Sequence, residues 1–194
     1  RRLPMVVRVG DRLLPTLAAE MLRVGQSQTN YLLRSDTDGG LAEVRVGGIA
    51  LPVTASGEPW IHYAAPAPAR RIPAWKLLQG QVPAAELQGR LLLVGSSAQG
   101  LMDLRFSPLG SVVPGVEVHA QALEQALSDE FLVRPAWTLA VEALALLLGG
   151  LLVGVLALSV GPLLSAGAAV CVVLGFGAAG LWAFSGPRVL LDPL

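Results

Sequence analysis

Charge is distributed very unevenly along this chain. Thirteen of its fourteen Lys and Arg residues lie at or before Arg134, and from Pro135 to Pro187 the only charged residue is Glu142. Two apolar runs fill that stretch, Trp137 to Leu158 and Leu163 to Phe184, parted by Ser159 to Pro162. A run of about twenty apolar residues, rising ~1.5 Å each, crosses a bilayer core of ~30 Å. So short a link joins two such helices only side by side and antiparallel. The sequence therefore predicts a transmembrane helical hairpin, with Trp137 and Trp182 at one membrane face, where indole rings settle. The alternative is a helix pair buried in a soluble core. It needs more covering chain than a protein of 194 residues supplies.

Small residues recur every fourth position of the second run, at Gly167, Cys171, Gly175, Ala179 and Ala183, and Gly150 and Gly154 make a GxxxG on the first. Such ridges let helix backbones approach closely in lipid. Gly150, Gly154, Gly167, Cys171, Gly175 and Ala179 are the candidate transmembrane packing residues. A thiol in an apolar run is inert, so Cys171 reads as a packing residue and not a redox centre. Glu142 lies a little over one turn inside the first span. There it can reach the headgroup region or sit between helices, and this reading is preferred to a functional carboxyl. One cysteine allows no intrachain disulfide and leaves the compartment open. A formal net charge of zero offers no basic face for nucleic acid. Arg134 and Arg188 flank the open end of the hairpin; counted alone, they weakly favour a cytoplasmic soluble part. The chain opens on Arg1-Arg2-Leu3-Pro4 without an initiator Met or a signal-peptide pattern, and closes on LLDPL. It reads as a piece of a longer protein.

The part before Pro135 alternates strand-like and helix-like stretches. Met5 to Val9 reads as a strand. Leu14 to Val24 reads as an amphipathic helix with Leu17, Met21 and Val24 on one face, Pro15 near its start and Gly25 after its end. Gln26 to Gly40 reads as a polar loop. Glu43 to Val46 and Ile49 to Val53 flank Gly47-Gly48 as a hairpin, and Trp60 to Tyr63 reads as a further strand. Ala64 to Pro73 is linker-like, and Ala74 to Gln79 and Ala84 to Gln88 are short helical pieces. Leu91 to Val94 has the look of a strand covered on both faces. A long loop, 95 to 114, leads to a helix from Val116 to Ser128 with Val116, Ala120, Leu123 and Leu127 as its inward stripe. The expected fold class is thus an α/β domain with a partly parallel sheet, followed by the α-helical transmembrane hairpin.

The stretch LLLVGSSAQGLMDLRFSPLGSVVPGVEVHA, Leu91 to Ala120, carries serine, aspartate and histidine in the order of a hydrolase triad. A nucleophile elbow requires G-x-S-x-G, and here Gln99 stands in the second glycine position. Asp103 follows Ser97 without an intervening strand, and His119 falls inside a helix. Triads are defined by geometry and not by order, so the hydrolase reading built on Ser97, Asp103 and His119 stands as the alternative. The plainer reading has Ser96 and Ser97 closing a strand by local bonds, Asp103 and Arg105 pairing, and His119 a half-buried helix residue. Between the two lies a ligand pocket at a strand's carboxyl end, with Ser96, Ser97, Asp103, Arg105, Glu117 and His119 as its candidate residues. With two histidines and one cysteine the chain has no metal-ligand pattern; with no GK[ST] ending it has no Walker loop. No cofactor is expected.

The same residues resemble a known family. GRLLLVGSSAQGLMDLRFSPLG followed by VPGVEVHAQALEQAL is similar to the pattern of CHASE type 2 domains, extracytoplasmic sensors of bacterial receptors. The matching elements are the turn Gly95 to Ala98, Gly100 to Asp103, Ser107 to Gly110, and Pro114 to Ala120. Upstream, Arg1 to Pro4, Leu14 to Leu17, GGIALPV and the Trp-Ile-His-Tyr stretch also fit, as does Leu132 to Pro135 downstream. The resemblance implies the C-terminal part of a sensor domain over 1–134, transmembrane helices over 135–158 and 163–184, and a loop over 185–194 leading to a third span. It also implies a homodimer in a bacterial inner membrane. The sensor would lie outside the cytoplasm, against the arginine count, and bind an unidentified extracytoplasmic ligand. No catalysis is expected of these residues themselves. The output enzyme implied for the whole receptor is an adenylate, guanylate or diguanylate cyclase or a protein kinase. A passive membrane module that only supports an assembly is the remaining alternative.

Overall fold

A computed structural model of the chain describes residues 2–37, 39–65, 67, 70–96 and 103–191. The chain forms two compact units, with the boundary after Phe131.

The first unit combines small antiparallel sheets with helices. β1 (Val6–Val9) and β2 (Arg12–Pro15) form a hairpin. Its turn carries Gly10 at φ +59, a left-handed conformation that costs glycine little. α1 (Leu17–Gly25) follows, then a meander of β3 (Leu32–Ser35), β4 (Leu41–Val46) and β5 (Ile49–Pro52). The short helices α2 (Ala74–Leu78) and α3 (Ala84–Leu87) precede a second hairpin, β6 (Leu104–Phe106) and β7 (Val112–Pro114). Pro114 caps α4 (Gly115–Leu127).

Strand periodicity builds the core. Val44 and Val46 of β4 point inward while Arg45 between them is exposed, and Val44 pairs across the ladder with Leu51. α1 presents Ala18, Ala19 and Leu22 to this core, and α4 presents Val118, Ala122, Leu123 and Ala126. Alanines on both helices let α1 and α4 approach each other, while each fully buried Leu contributes roughly 1.5–3 kcal/mol. Gln26 ties α1 to the β4–β5 turn: its Nε2 donates to Val46 O at 3.0 Å and its Oε1 accepts from Gly48 N at 3.2 Å.

The α/β expectation holds, with corrections inside it. The ladders among the described residues are antiparallel, apart from one isolated parallel bridge in the second unit. Leu14 belongs to β2, so α1 starts at Leu17, and its buried face is Ala18, Ala19 and Leu22, with Leu17 and Val24 exposed. On α4, Leu123 of the expected stripe is buried, but Ala120 and Leu127 are exposed. In both helices the buried line runs along small residues, which a search for large apolar side chains passes over. The loop expected at Gln26 to Gly40 contains β3, and the loop expected at 95 to 114 contains β6 and β7. Trp60 makes one isolated bridge, to Arg2, in place of a strand. Leu91 to Val94 is not a paired strand and is not covered on both faces: Leu93 is packed on the core, but Val94 is 94% exposed.

The second unit is a helical hairpin, α5 (Trp137–Ser159) and α6 (Pro162–Ser185), reversed at Gly161 with φ +91. Their mean hydropathies are 2.4 and 2.0, and protein buries 0% and 6% of their most apolar windows. Core helices of soluble proteins are covered by their neighbours; these are long, apolar and bare. Gly149 gives α5 its close approach, since a Cβ there would meet Val172 Cγ1 at 3.0 Å and Phe176 at 3.6 Å. Gly150, Gly154, Gly167 and Gly175 have open space where a Cβ would stand.

Candidate functional site

The segment from Leu91 to α4 carries the chemistry-bearing residues. Its first half runs along the two core helices. Leu91 touches α1 at Gly25, where a Cβ would stand 2.8 Å from Leu91 Cδ2. Leu93 is packed on the core, and Gly95 lies against α4, where its Cβ would meet Val116 Cβ at 2.5 Å. Gly95 is therefore a glycine because the chain passes directly against the Val116 side chain; no nucleophile elbow is needed to explain it. Ser96 is exposed. Ser97 lies outside the described residues, as do Ala98 to Met102.

Asp103 opens the second half at the start of α4. Its carbonyl accepts from Gly115 N at 2.7 Å, and its carboxylate covers the Gly115 α-carbon. A negative group suits the positive end of a helix dipole. Asp103 also pairs with Arg105 at 3.6 Å, as the sequence suggested, but both side chains are more than half exposed and the pair contributes little on its own. The Ser107 to Gly110 stretch is a turn. Ser107 Oγ accepts from Leu109 N, Gly110 N donates to Ser107 O, and Gly110 sits at φ +80, so the β6–β7 hairpin closes with Ser107 N on Ser111 O.

α4 positions the remaining candidates. Glu117, in its first turn, pairs with Arg71, and about two turns further along the same face Glu124 pairs with Arg70, so the preceding linker is held down by two arginines. His119 is half-buried, and its Nδ1 has no hydrogen-bond partner among the described residues. In a triad that nitrogen would be held by the carboxylate; here Asp103 faces Gly115 and Arg105, so the Asp–His half of a hydrolase site is not assembled. Gln121 Oε1 and Ser111 Oγ are likewise buried without partners among the described residues. Two hollows stand out among the described residues, and neither lies at these side chains. One is an open groove between α5 and α6, and the other a closed gap under Trp60 and Gln125 with no room for a water molecule.

The structure thus brings Asp103 and Arg105 together at the head of α4 and assigns Glu117 to Arg71. Sequence reading placed Gly115 only within the Pro114 to Ala120 match and gave it no role, and it missed Arg71 and Gln125. Gly115 had a visible signal, a glycine after proline at a helix start; Arg71 had none. The CHASE2 domain model matches residues 1–156 of the chain. This chain belongs to the CHASE2 family. CHASE2 is a family of extracellular sensor domains, and here the match runs through the first unit and on through most of α5. Neither the comparison with curated proteins nor that with solved structures finds a match. Among the residues of the resemblance, Gly95 lies against Val116 of α4, Asp103 holds Gly115 at the start of that helix, and Ser107 to Gly110 close the β6–β7 hairpin.

Proposed function

We propose that this chain is the input module of a bacterial transmembrane signalling receptor. The first unit is the sensor, held outside the cytoplasm of a multi-pass inner-membrane protein. The hairpin relays its state toward a cytoplasmic cyclase or kinase. The observation that carries this reading is the join: a CHASE2 match that continues unbroken from the folded sensor into an uncovered apolar helix. Only residues 128–136 separate α4 from α5, and Pro135 sits just before the second helix. Little slack is left to absorb a movement of α4.

The receptor works as a homodimer in this reading, and a stimulus biases two packings of the paired spans. The ligand groups proposed are Ser96, Asp103, Arg105, Glu117 and His119, together with Ser97, which lies outside the described residues. Glu117 enters only if Arg71 releases it. The test is topology. Alkaline phosphatase fused after Arg134 is expected to be active, and a cytoplasm-dependent fluorescent protein at the same place dark. The reverse pattern overturns the extracytoplasmic assignment.

A further inference from the structure

The open end of the hairpin is tied together by groups the sensor reading does not use. Val133 N donates to Arg188 O at 3.1 Å and Leu190 N donates to Val133 O at 2.9 Å, so Val133 and Val189 form a parallel β-bridge. The chain entering α5 is thereby hydrogen-bonded to the chain leaving α6. Val189 N also donates to the buried Ala183 O at 2.8 Å. Arg188 holds φ +57 to make the return, a left-handed conformation unfavourable for a side chain of its kind.

A charge pair reinforces the bridge. Glu142 lies five residues into α5, about 7.5 Å below its first residue at ~1.5 Å per residue. A carboxylate at that depth in lipid needs a partner. Arg134, eight residues earlier, supplies it: its NH2 lies 2.8 Å from Glu142 Oε2, whose side chain is 11% exposed. To reach it, the entering chain must fold down beside α5. Thr138, 1% exposed, fixes that bend through its Oγ1 on Pro135 O at 2.7 Å.

We propose that Arg134, Glu142 and the Val133–Val189 bridge form a latch. The latch makes the chain entering α5 and the chain leaving α6 move as one body, so that sensor motion carries both spans together instead of sliding one past the other. The inference rests on the membrane reading above and deepens it: Arg134 and Glu142 become the positioning pair of the relay.

The experiment uses the full chain in native membranes, with Cys171→Ala as background and Val133→Cys with Val189→Cys as reporters. Paired strand positions lie within disulfide reach. Oxidation is expected to cross-link the parent quickly, and Glu142→Gln or Arg134→Gln to slow it at least tenfold. Ala143→Gln, which adds the same polar amide beside the pair, is expected to leave the rate unchanged. A parent that does not cross-link, a charge-removing variant as fast as the parent, or an Ala143→Gln as slow as Glu142→Gln each overturns the latch. Alkaline carbonate extraction of the same samples tests the membrane reading separately, since release into the supernatant defeats that reading whatever the cross-link shows.

Discussion

The Asp103 carboxylate lies directly over the α-carbon of Gly115: a methyl group added there would stand 2.2 Å from Oδ1 and 2.6 Å from Oδ2. Gly115 is the first residue of α4, and its N–H is also held by the Asp103 carbonyl. Gly115→Ala is therefore expected to expel the half-exposed carboxylate and cost up to about 1 kcal/mol, at the low end of overpacking. With Asp103→Ala the same substitution is expected to be neutral or stabilising by up to about 1 kcal/mol, because alanine is the better helix former. Denaturant melts of the four proteins check this cycle. A cost of Gly115→Ala that is the same in both backgrounds contradicts the contact.

Gly95 presents a harder obstacle. Its added Cβ would meet the Cβ of Val116 at 2.5 Å and both γ-carbons within 2.8 Å. Gly95→Ala is expected to destabilise the sensor unit by roughly 1–3 kcal/mol. Val116→Ala is not expected to rescue it, since Cβ itself is the nearest atom. Rescue by that variant, read from the unfolding midpoint, shows that the chain does not cross α4 this closely.

Gln125 does the work of a strand residue from within a helix. Its Nε2 donates to Trp60 O at 2.7 Å and its Oε1 accepts from His62 N at 2.8 Å, the pair of bonds a parallel strand would make around Ile61. Gln125→Leu leaves both backbone groups without these partners and is expected to cost about 2–4 kcal/mol. Gln125→Glu keeps the acceptor for His62 but opposes a carboxylate to the Trp60 carbonyl. Its stability is expected to recover as pH falls and the carboxyl gains a proton to donate. A Gln125→Glu melt independent of pH refutes this pairing.

The particular residues legible in the sequence were those whose signal is local. The hairpin spans emerged from length and hydropathy, the β4–β5 turn from Gly47-Gly48, and α4 from the apolar spacing after Val116. Leu91 to Val94 misled because four apolar residues imply cover, and cover is a property of other chain: Leu91 and Leu93 turn toward α1 and the core while Leu92 and Val94 face out. The partners of the candidate residues were hidden for a related reason. Asp103, Arg105, Glu117 and His119 are close in sequence, but Arg71, 46 residues before Glu117, decides what Glu117 does.

Acid titration reads the clamp at the end of α1. Glu20 is lowered from 4.5 to about 2, chiefly by its hydrogen bond from Arg23 and next by that from the Tyr31 hydroxyl. Burial and the Glu20 carboxylate push Tyr31 up to about 12. A depressed carboxyl stabilises the fold above its unfolded value and loses that contribution as pH falls from about 4.5 through 2. A raised phenol acts in the opposite sense, and its contribution is lost as pH climbs from 10 through about 12. Tyr31→Phe is expected to raise the Glu20 midpoint in a carboxyl-carbon NMR titration, and to remove the alkaline loss. An unmoved midpoint means that the hydroxyl does not reach Glu20.

The glycines of the first span separate folding from assembly. Gly149 faces Val172 and Phe176 of α6, whereas Gly150 and Gly154 face open space on the same chain. Gly149→Leu adds a side chain where 3.0 Å is available and is expected to spread the hairpin, which increases proteolysis at the Val160–Gly161 turn. Gly150→Leu and Gly154→Leu have room and are expected to leave that turn protected. If two copies pair through this outer GxxxG, the same two variants lower dimer yield in a membrane cross-linking assay, because close backbone approach is what the glycines allow. Dimer yield that is unchanged by both variants excludes this face, and a Gly149→Leu hairpin as protected as the parent excludes the helix contact.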